Sequence, residues 1–91
     1  MLYSKLGSTG LIVSRLSLGT MSFGMGKGNA AIARTRQDEA EALVGRAIDA
    51  GINFFDCAEG YAKGESEKVM GRAIKHFNWN RNDIVVSTKV V

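Results

Sequence analysis

Long apolar runs and an N-terminal export signal are both missing from this chain. No apolar run approaches the roughly 20 residues that a transmembrane helix needs. The N-terminus lacks the basic region followed by an apolar core that marks a secretory signal. We therefore expect no membrane partner. The 91 residues, 45% of them hydrophobic and 23% charged, have an ordinary globular composition and make one small domain or part of a larger one.

Cysteine and histidine are equally scarce. Cys57 and His76 are the single residues of their types. One cysteine excludes a disulfide within the chain, and one cysteine with one histidine falls short of the usual ligand set of a protein-only zinc site, so we expect no metal. A lone thiol without a disulfide indicates a reducing, cytoplasmic location.

A clustered basic surface is missing as well. The net charge of +3 comes from 12 basic and 9 acidic residues that are scattered along the chain without a Lys/Arg block. Nucleic-acid-binding domains carry a concentrated basic footprint. We therefore expect no nucleic-acid partner.

Glycine-rich phosphate motifs are also absent. The loop 22–34 holds Gly24, Gly26 and Gly28, but the residue after Lys27 is glycine rather than the Ser or Thr of a P-loop. Neither Gly-x-Gly pair has the third glycine that a dinucleotide fingerprint places three residues further on. Long loops are usually functional or mobile, and we interpret this one as a flexible surface lid rather than a phosphate-binding loop.

What the chain does contain is an alternation of β-prone runs and helical stripes. Two short β-prone runs, 2–6 and 11–15, flank a connection with two glycines, which predicts a hairpin. The segment 16–19 predicts a strand and 52–56 a second one. The segment 84–91 is β-branched and nearly all apolar, which predicts a third strand buried on both faces.

Two helices are predicted between these strands. Thr35 has the chemistry of an N-cap, Gly51 that of a C-terminal cap, and a second helix begins near Glu65. Each helix carries an apolar stripe at helical spacing. The stripes are Ala40, Leu43, Val44, Ala47 and Ile48 in the first helix, and Val69, Met70, Ala73, Ile74 and Phe77 in the second.

The order hairpin, β, α, β, α, β predicts βαβ units with a parallel sheet. The chain stops at the third of these strands, which leaves an edge and one face of the sheet uncovered. We therefore expect the opening portion of a larger α/β domain. We also expect self-association through the exposed strand edge and through the uncovered face, which includes Phe54.

A carboxylate, a phenol and an ammonium are predicted to lie close together. Asp56 ends one strand, Lys89 lies near the end of the next, and Tyr61 follows in the turn after Asp56. Functional groups in parallel α/β folds gather at the carboxyl ends of the strands. An ammonium within about 4–6 Å of a phenol favours the phenolate and lowers the phenol pKa. The trio suits a general acid that protonates a carbonyl oxygen, although a structural salt bridge beside a packing tyrosine fits the same spacing.

Several spaced motifs resemble the signature of the aldo-keto reductase family. The similarity covers essentially the whole chain and is nearest to the branch that contains the voltage-gated potassium-channel β-subunits. Its elements are Gly-Ile-Asn-Phe-Phe-Asp at 51–56 with Ala58 and Tyr61, Gly-Glu-Ser-Glu at 64–67, Gly-Arg-Ala at 71–73, Leu-Gly-Thr-Met at 18–21, the glycines of the hairpin, and Trp79, Arg81 and the segment 84–89.

The resemblance implies the N-terminal part of a (β/α)8 TIM barrel. Here that part would be a β-hairpin followed by about two and a half βα units, all within one domain over residues 1–91. It also implies an NADPH-dependent oxidoreductase that reduces the carbonyl group of small aldehydes and ketones. In that reaction Tyr61 would be the general acid, with Asp56 and Lys89 tuning it.

The resemblance further implies a partial cofactor site. Thr20 and Met21 would line the nicotinamide and its ribose, Gly19 would give close access to the backbone, and Asp56 would lie beside the cofactor. The later parts of the site, which decide between NADPH and NADH in the family, fall outside this sequence.

Two positions depart from the family pattern. The family often has threonine where Cys57 stands, and we expect there a buried thiol without a catalytic role. The fourth catalytic residue of the family is a histidine beyond the third strand, and His76 does not match that position. We expect His76 to interact with the end of the second helix instead.

These departures and the missing cofactor half lead us to expect little or no reductase activity from the 91-residue chain alone. Two alternatives stay open. One is a non-catalytic accessory or binding subunit on the same scaffold, and the other is a truncated product without activity.

Overall fold

The N-terminal residues form the predicted hairpin. The computed structural model describes residues 1–24 and 31–90. Strands β1 (Tyr3–Lys5) and β2 (Ile12–Ser14) pair antiparallel, with Tyr3 opposite Ser14. The connection is closed by a hydrogen bond of 2.8 Å from the Leu6 amide to the Leu11 carbonyl. Gly7 and Gly10 both have positive φ there, which is why this turn requires glycine.

Three short strands form the predicted parallel sheet, in the order β3 (Leu18–Gly19), β4 (Phe54–Asp56) and β5 (Val85–Ser87). Strand β4 begins two residues later than predicted, because the Ile52 amide still bonds the Ala47 carbonyl at the end of the preceding helix, at 2.9 Å. Strand β5 is also shorter than predicted, and Val91 lies outside the described residues.

The prediction that β5 is buried on both faces was wrong. All three of its residues are half-buried. Among the described residues the helices cover one face of the sheet, where Phe55 and Ile84 join the hydrophobic core. The other face carries Phe54 and Val85, which are paired in the register and also half-buried.

Two α-helices connect the parallel strands, α1 (Gln37–Asp49) and α2 (Glu65–Phe77). The N-cap of α1 is Arg36, not Thr35 as predicted. The Glu39 carboxylate accepts a hydrogen bond of 3.1 Å from the Arg36 amide, while the Thr35 backbone is occupied in a bridge with Phe23. Gly51 directly follows the C-cap of α1 with φ +97°, as its predicted capping role requires.

The core lies between the helices and one face of the sheet, with Phe55 and Phe23 as its largest fully buried side chains. The α1 stripe is narrower than predicted, because Leu43 is 47% exposed and lies outside the core. Trp79 stacks on Phe77 at 4.8 Å between ring centroids and on Phe55 at 6.4 Å. The other core members are Ala40, Val44, Ala47, Cys57, Val69, Met70, Ala73 and Ile84.

The predicted lid at 22–34 lies partly outside the described residues, and so do Gly26 and Gly28. Each of its described flanks has a buried residue. Phe23 is 1% exposed and Ala33 is 2% exposed. At both of its ends the segment is therefore anchored to the core rather than free on the surface.

The hairpin docks at the amino end of β4, opposite to the end that carries Asp56. The Asn53 side chain accepts from the Ser14 amide at 2.7 Å and donates to the Ile12 carbonyl at 3.0 Å. The Tyr3 hydroxyl donates to the Gly51 carbonyl at 2.6 Å. The hairpin therefore closes one end of the sheet and leaves the carboxyl end open.

Neither α-helix of residues 1–24 and 31–90 has the length and apolar character of a membrane span.

Candidate functional site

The predicted acid, phenol and ammonium meet at the carboxyl end of the parallel sheet. Asp56 is the last residue of β4 and pairs with Gly19 on one side and Ser87 on the other. Lys89 lies two residues beyond the end of β5, and Tyr61 begins the turn after β4. Because the strands run parallel, their carboxyl ends lie at the same edge of the sheet.

Lys89 binds the Asp56 carboxylate with both oxygens in reach. Its Nζ lies 2.9 Å from Oδ1 and 3.0 Å from Oδ2. The same Nζ donates to the Cys57 carbonyl at 2.7 Å. The side chains are 50% and 40% exposed, so the pair is open to solvent and to a ligand. The contact to a backbone carbonyl anchors the ammonium to the fold as well as to its counter-ion.

Ser87 also binds Asp56, which the sequence interpretation missed. Its hydroxyl donates to Asp56 Oδ1 at 2.6 Å. This hydrogen bond, and next the one from Lys89, hold the pKa of Asp56 below its usual value, against a smaller opposing effect of burial. The signal was present in the sequence, because Ser87 precedes Lys89 by two residues and side chains two apart in a strand share a face.

Tyr61 begins a short 3₁₀ turn, Tyr61–Gly64, and is half-buried. The Lys89 ammonium lies 5.1 Å from the centroid of its ring. The hydrogen bond to Asp56 raises the pKa of Lys89, desolvation opposes this, and the nearby Tyr61 side chain adds to the rise. Lys89 therefore stays charged beside the phenol.

The residues predicted to hold a cofactor lie at the end of β3. Gly19 is exposed, and apart from its two chain neighbours no atom of the described residues lies within 4 Å of the position where a Cβ would stand. Met21 is 50% exposed. Thr20 is fully buried, and its hydroxyl donates to the Asp56 carbonyl at 3.1 Å. The buried Ser66 hydroxyl lies 2.5 Å from the Thr20 carbonyl and binds α2 to this strand end. Contact of Gly19, Thr20 and Met21 with a cofactor stays a prediction.

Cys57 and His76, also singled out from the sequence, lie in the core and at a contact between the two helices, respectively. Cys57 is 1% exposed, and burial raises the pKa of its thiol above the usual value. His76 lies in the last turn of α2, with Nδ1 at 3.5 Å from the Glu41 carboxylate on α1. Within residues 1–24 and 31–90, no group of three or more His, Cys, Asp or Glu side chains could hold a metal ion.

Chemically, the arrangement places a charged, anchored ammonium between a carboxylate and a phenol. Positive charge at that point stabilises negative charge that develops on the phenol oxygen when its proton leaves. The site is therefore suited to proton donation by Tyr61.

Comparison with known proteins places the chain in a family. The family model described as "Aldo/keto reductase family" matches residues 15–91. A rice protein (Oryza sativa subsp. japonica) named "Probable voltage-gated potassium channel subunit beta" is 45% identical over 91 residues, which are 99% of this chain and 25% of that protein. Aldo-keto reductase AFTS1 from Alternaria alternata is 40% identical over 87 residues, which are 96% of this chain and 23% of that protein.

Solved structures of aldo-keto reductases have a similar fold. Aldo-keto reductase AKR11C1 from Bacillus halodurans, in its holo form, superposes with a TM-score of 0.78 and 33% identity, over 99% of this chain and 26% of that one. The predicted fold, the N-terminal part of a (β/α)8 barrel, is thereby confirmed. The chain spans about a quarter of the length of the curated relatives that it matches. It belongs to the aldo/keto reductase family.

Proposed function

We propose that this chain is the proton-donating part of an NADPH-dependent oxidoreductase that reduces the carbonyl group of small aldehydes and ketones. The observation that carries the proposal is the Lys89 ammonium, held on Asp56 at 2.9 Å and 5.1 Å from the Tyr61 ring centroid. Membership of the aldo/keto reductase family supports oxidoreductase chemistry. A reducing cytoplasmic location is part of the same proposal, and the free thiol of Cys57 is compatible with it.

Each residue of the trio has a separate task. Tyr61 donates its proton to the carbonyl oxygen of the substrate as negative charge builds there. Lys89 stabilises the negative charge that the departing proton leaves on the phenol oxygen. Asp56 keeps the ammonium in place and charged, and the bond from Lys89 to the Cys57 carbonyl limits its motion.

The residues at the end of β3 fit a nicotinamide cofactor. Gly19 leaves open space above the backbone beside Asp56, and the half-exposed Met21 offers an apolar surface. Among the described residues, Asp56 Oδ2 accepts a hydrogen bond from Lys89 only, so it has capacity for a ligand hydroxyl. Gly19, Met21 and Asp56 would hold the cofactor, which when bound supplies hydride to the carbonyl carbon. The buried Thr20, also predicted to line the cofactor, would support this site through its hydrogen bond to the Asp56 carbonyl.

The test compares the 91-residue chain with the full product of its gene, here called the full gene product. Both are assayed for NADPH oxidation with a panel of aromatic and aliphatic aldehydes. We expect activity in the full gene product and little or none in the 91-residue chain, because the chain spans about a quarter of its relatives. Tyr61→Phe should abolish carbonyl reduction without loss of folding. A fully active Tyr61→Phe variant would contradict the assignment of the proton donor.

The similarity to the rice protein favours a second candidate function. Because that relative is named as a potassium channel β-subunit, this chain could belong to an accessory subunit on the same scaffold. This function predicts that the full gene product binds a purified potassium-channel assembly and that Tyr61→Phe binds it equally well. It also predicts that the wild type reduces no carbonyl compound. Carbonyl reduction without channel binding would favour the enzyme.

A further inference from the structure

Ser87 is the contact of the Asp56 carboxylate that the proposed reaction leaves without a task. In residues 1–24 and 31–90, the Asp56 carboxylate accepts hydrogen bonds from two side chains, Ser87 and Lys89. Thr20 bonds only the backbone carbonyl of Asp56. The bond from Ser87 is the shortest of the set, at 2.6 Å.

The two oxygens of the Asp56 carboxylate accept different numbers of hydrogen bonds from Ser87 and Lys89. A carboxylate has about four acceptor positions, two on each oxygen. Oδ1 accepts from Ser87 at 2.6 Å and from Lys89 at 2.9 Å, so both of its positions are filled. Oδ2 accepts from Lys89 at 3.0 Å and from no other donor in residues 1–24 and 31–90. With Oδ1 held between two donors, rotation of the carboxylate would break one of its hydrogen bonds.

The strand register brings Ser87 to this oxygen. Ser87 lies directly beside Asp56 in the pairing of β4 with β5. The next residue, Thr88, bonds in the other direction, since its hydroxyl donates to the Glu67 carboxylate on α2 at 2.7 Å. Lys89 then returns to Asp56. Ser87 and Lys89 thus contact Asp56, while Thr88 between them contacts α2.

The titratable groups near this carboxylate are Lys89, Tyr61, the adjacent Cys57 thiol and Glu67, whose charge acts on Cys57 as that of Asp56 does. Lys89 is the cation that contacts it, and the Tyr61 phenol is the titratable group on the far side of Lys89. On the side of β3 the neighbours are Gly19 at the end of the strand and Thr20 directly after it, which carry no charge. Loss of the Ser87 hydroxyl would therefore leave Lys89 as the sole side-chain donor to Asp56 within the described residues.

We propose that Ser87 is a positioning residue, whose hydroxyl locks the Asp56 carboxylate in the orientation that holds the Lys89 ammonium beside Tyr61. This inference rests on the proposed function for its catalytic consequence, but the positioning itself is a property of the fold. Without the hydroxyl the carboxylate can turn, so that the Cys57 carbonyl becomes the remaining fixed partner of the ammonium among the described residues, and the ammonium can shift away from the phenol. The hydrogen bond from Ser87 also favours the ionised form of Asp56.

The test uses Ser87→Ala in the full gene product, with Ser87→Thr as the variant that keeps the hydroxyl. The pKa of Asp56 is read from carboxyl-carbon NMR of the protein labelled at aspartate, with Asp56→Asn to assign the signal. We expect the pKa of Asp56 to rise in Ser87→Ala and to return towards the wild-type value in Ser87→Thr. In the enzyme assay, kcat/KM of Ser87→Ala should fall about tenfold, the effect of losing one hydrogen bond to a charged group.

Thr88→Val is the matched control. It removes a hydroxyl from the same segment and breaks a hydrogen bond to a carboxylate, but that carboxylate is Glu67 on the other side of β5. We expect it to leave the Asp56 titration and the pH dependence of kcat/KM at their wild-type values. In Ser87→Ala the acid limb of that pH profile should move to higher pH, which general destabilisation would not cause.

The two proposals fail in different ways. If the wild type reduces no carbonyl compound, the proposed function fails, while the NMR titration still supports or overturns the role of Ser87. An Asp56 carboxyl that titrates at the same pH in wild type and Ser87→Ala would overturn the positioning role, whatever the activity. An equal change in Thr88→Val would overturn it too, because the effect would then not depend on contact with Asp56.

Discussion

Replacement of Lys89 by methionine should separate the catalytic from the structural value of the ion pair. Lys89→Met keeps the length and most of the apolar stem of the side chain but removes the charge and every N–H donor. The variant loses both contacts to the Asp56 carboxylate, the contact to the Cys57 carbonyl and the cation beside the Tyr61 ring.

The expected loss of activity is large. The ammonium is a pre-positioned positive charge at the point where the phenol oxygen becomes negative, and removal of one such stabilising group costs about 10²–10³-fold in kcat. The expected loss of stability is small, because the two side chains are 50% and 40% exposed and water already solvates both charges. We therefore expect a folded variant with little activity.

The assay measures both quantities on the full gene product. Activity is followed by NADPH oxidation with an aldehyde in saturating amount, and stability by urea unfolding. Lys68→Met is the control, since Lys68 is an exposed lysine on α2. We expect similar urea midpoints for the two variants and a loss of kcat in Lys89→Met only.

Lys89→Arg distinguishes charge from geometry. The guanidinium keeps the positive charge, but its planar fork cannot reproduce the compact contact of one nitrogen with Asp56 and with the Cys57 carbonyl. We expect its kcat to lie between those of wild type and Lys89→Met. Full activity of Lys89→Met at an unchanged urea midpoint would refute the assignment of the ammonium to proton donation.

Three other measurements test the remaining conclusions. Because the pKa of Asp56 is lowered in the folded protein, the stabilising effect of the Asp56–Lys89 pair is present above the unfolded-state pKa of about 3.9 and is lost as pH falls through the folded-state pKa. The pKa of Lys89 is raised, so on the alkaline side the effect is lost as pH rises through that raised pKa. The difference in urea midpoint between wild type and Asp56→Asn should therefore be constant at neutral pH and vanish in acid; a difference that persists in strong acid would contradict this. The Cys57 thiol, buried and with a raised pKa, should react with a thiol reagent at neutral pH only as fast as the protein unfolds, and a fast reaction of the folded protein would disprove its burial. The 91-residue chain should self-associate through the β5 edge (Val85–Ser87) in sedimentation velocity, and Val85→Lys should reduce the association; a monomer at all concentrations would oppose the prediction.

The sequence by itself determined the types and order of the main elements. Apolar stripes at helical spacing predicted α1 and α2, because one face of each helix must be apolar to pack against a sheet. Glycines at the turn predicted the hairpin, since positive φ is readily adopted by that residue. The alternation of strands and helices predicted a parallel sheet, and thereby placed Asp56 and Lys89 at one edge.

Only the tertiary structure decided which atoms meet at that edge. The register that pairs Asp56 with Ser87, the turn that brings Tyr61 back over Lys89, and the buried Ser66 that binds the end of β3 depend on contacts between distant segments. Local patterns could indicate that polar groups gather there, but not which oxygen accepts which hydrogen. That is set by packing of the helices on one face of the sheet, because it fixes how the strands lie against each other.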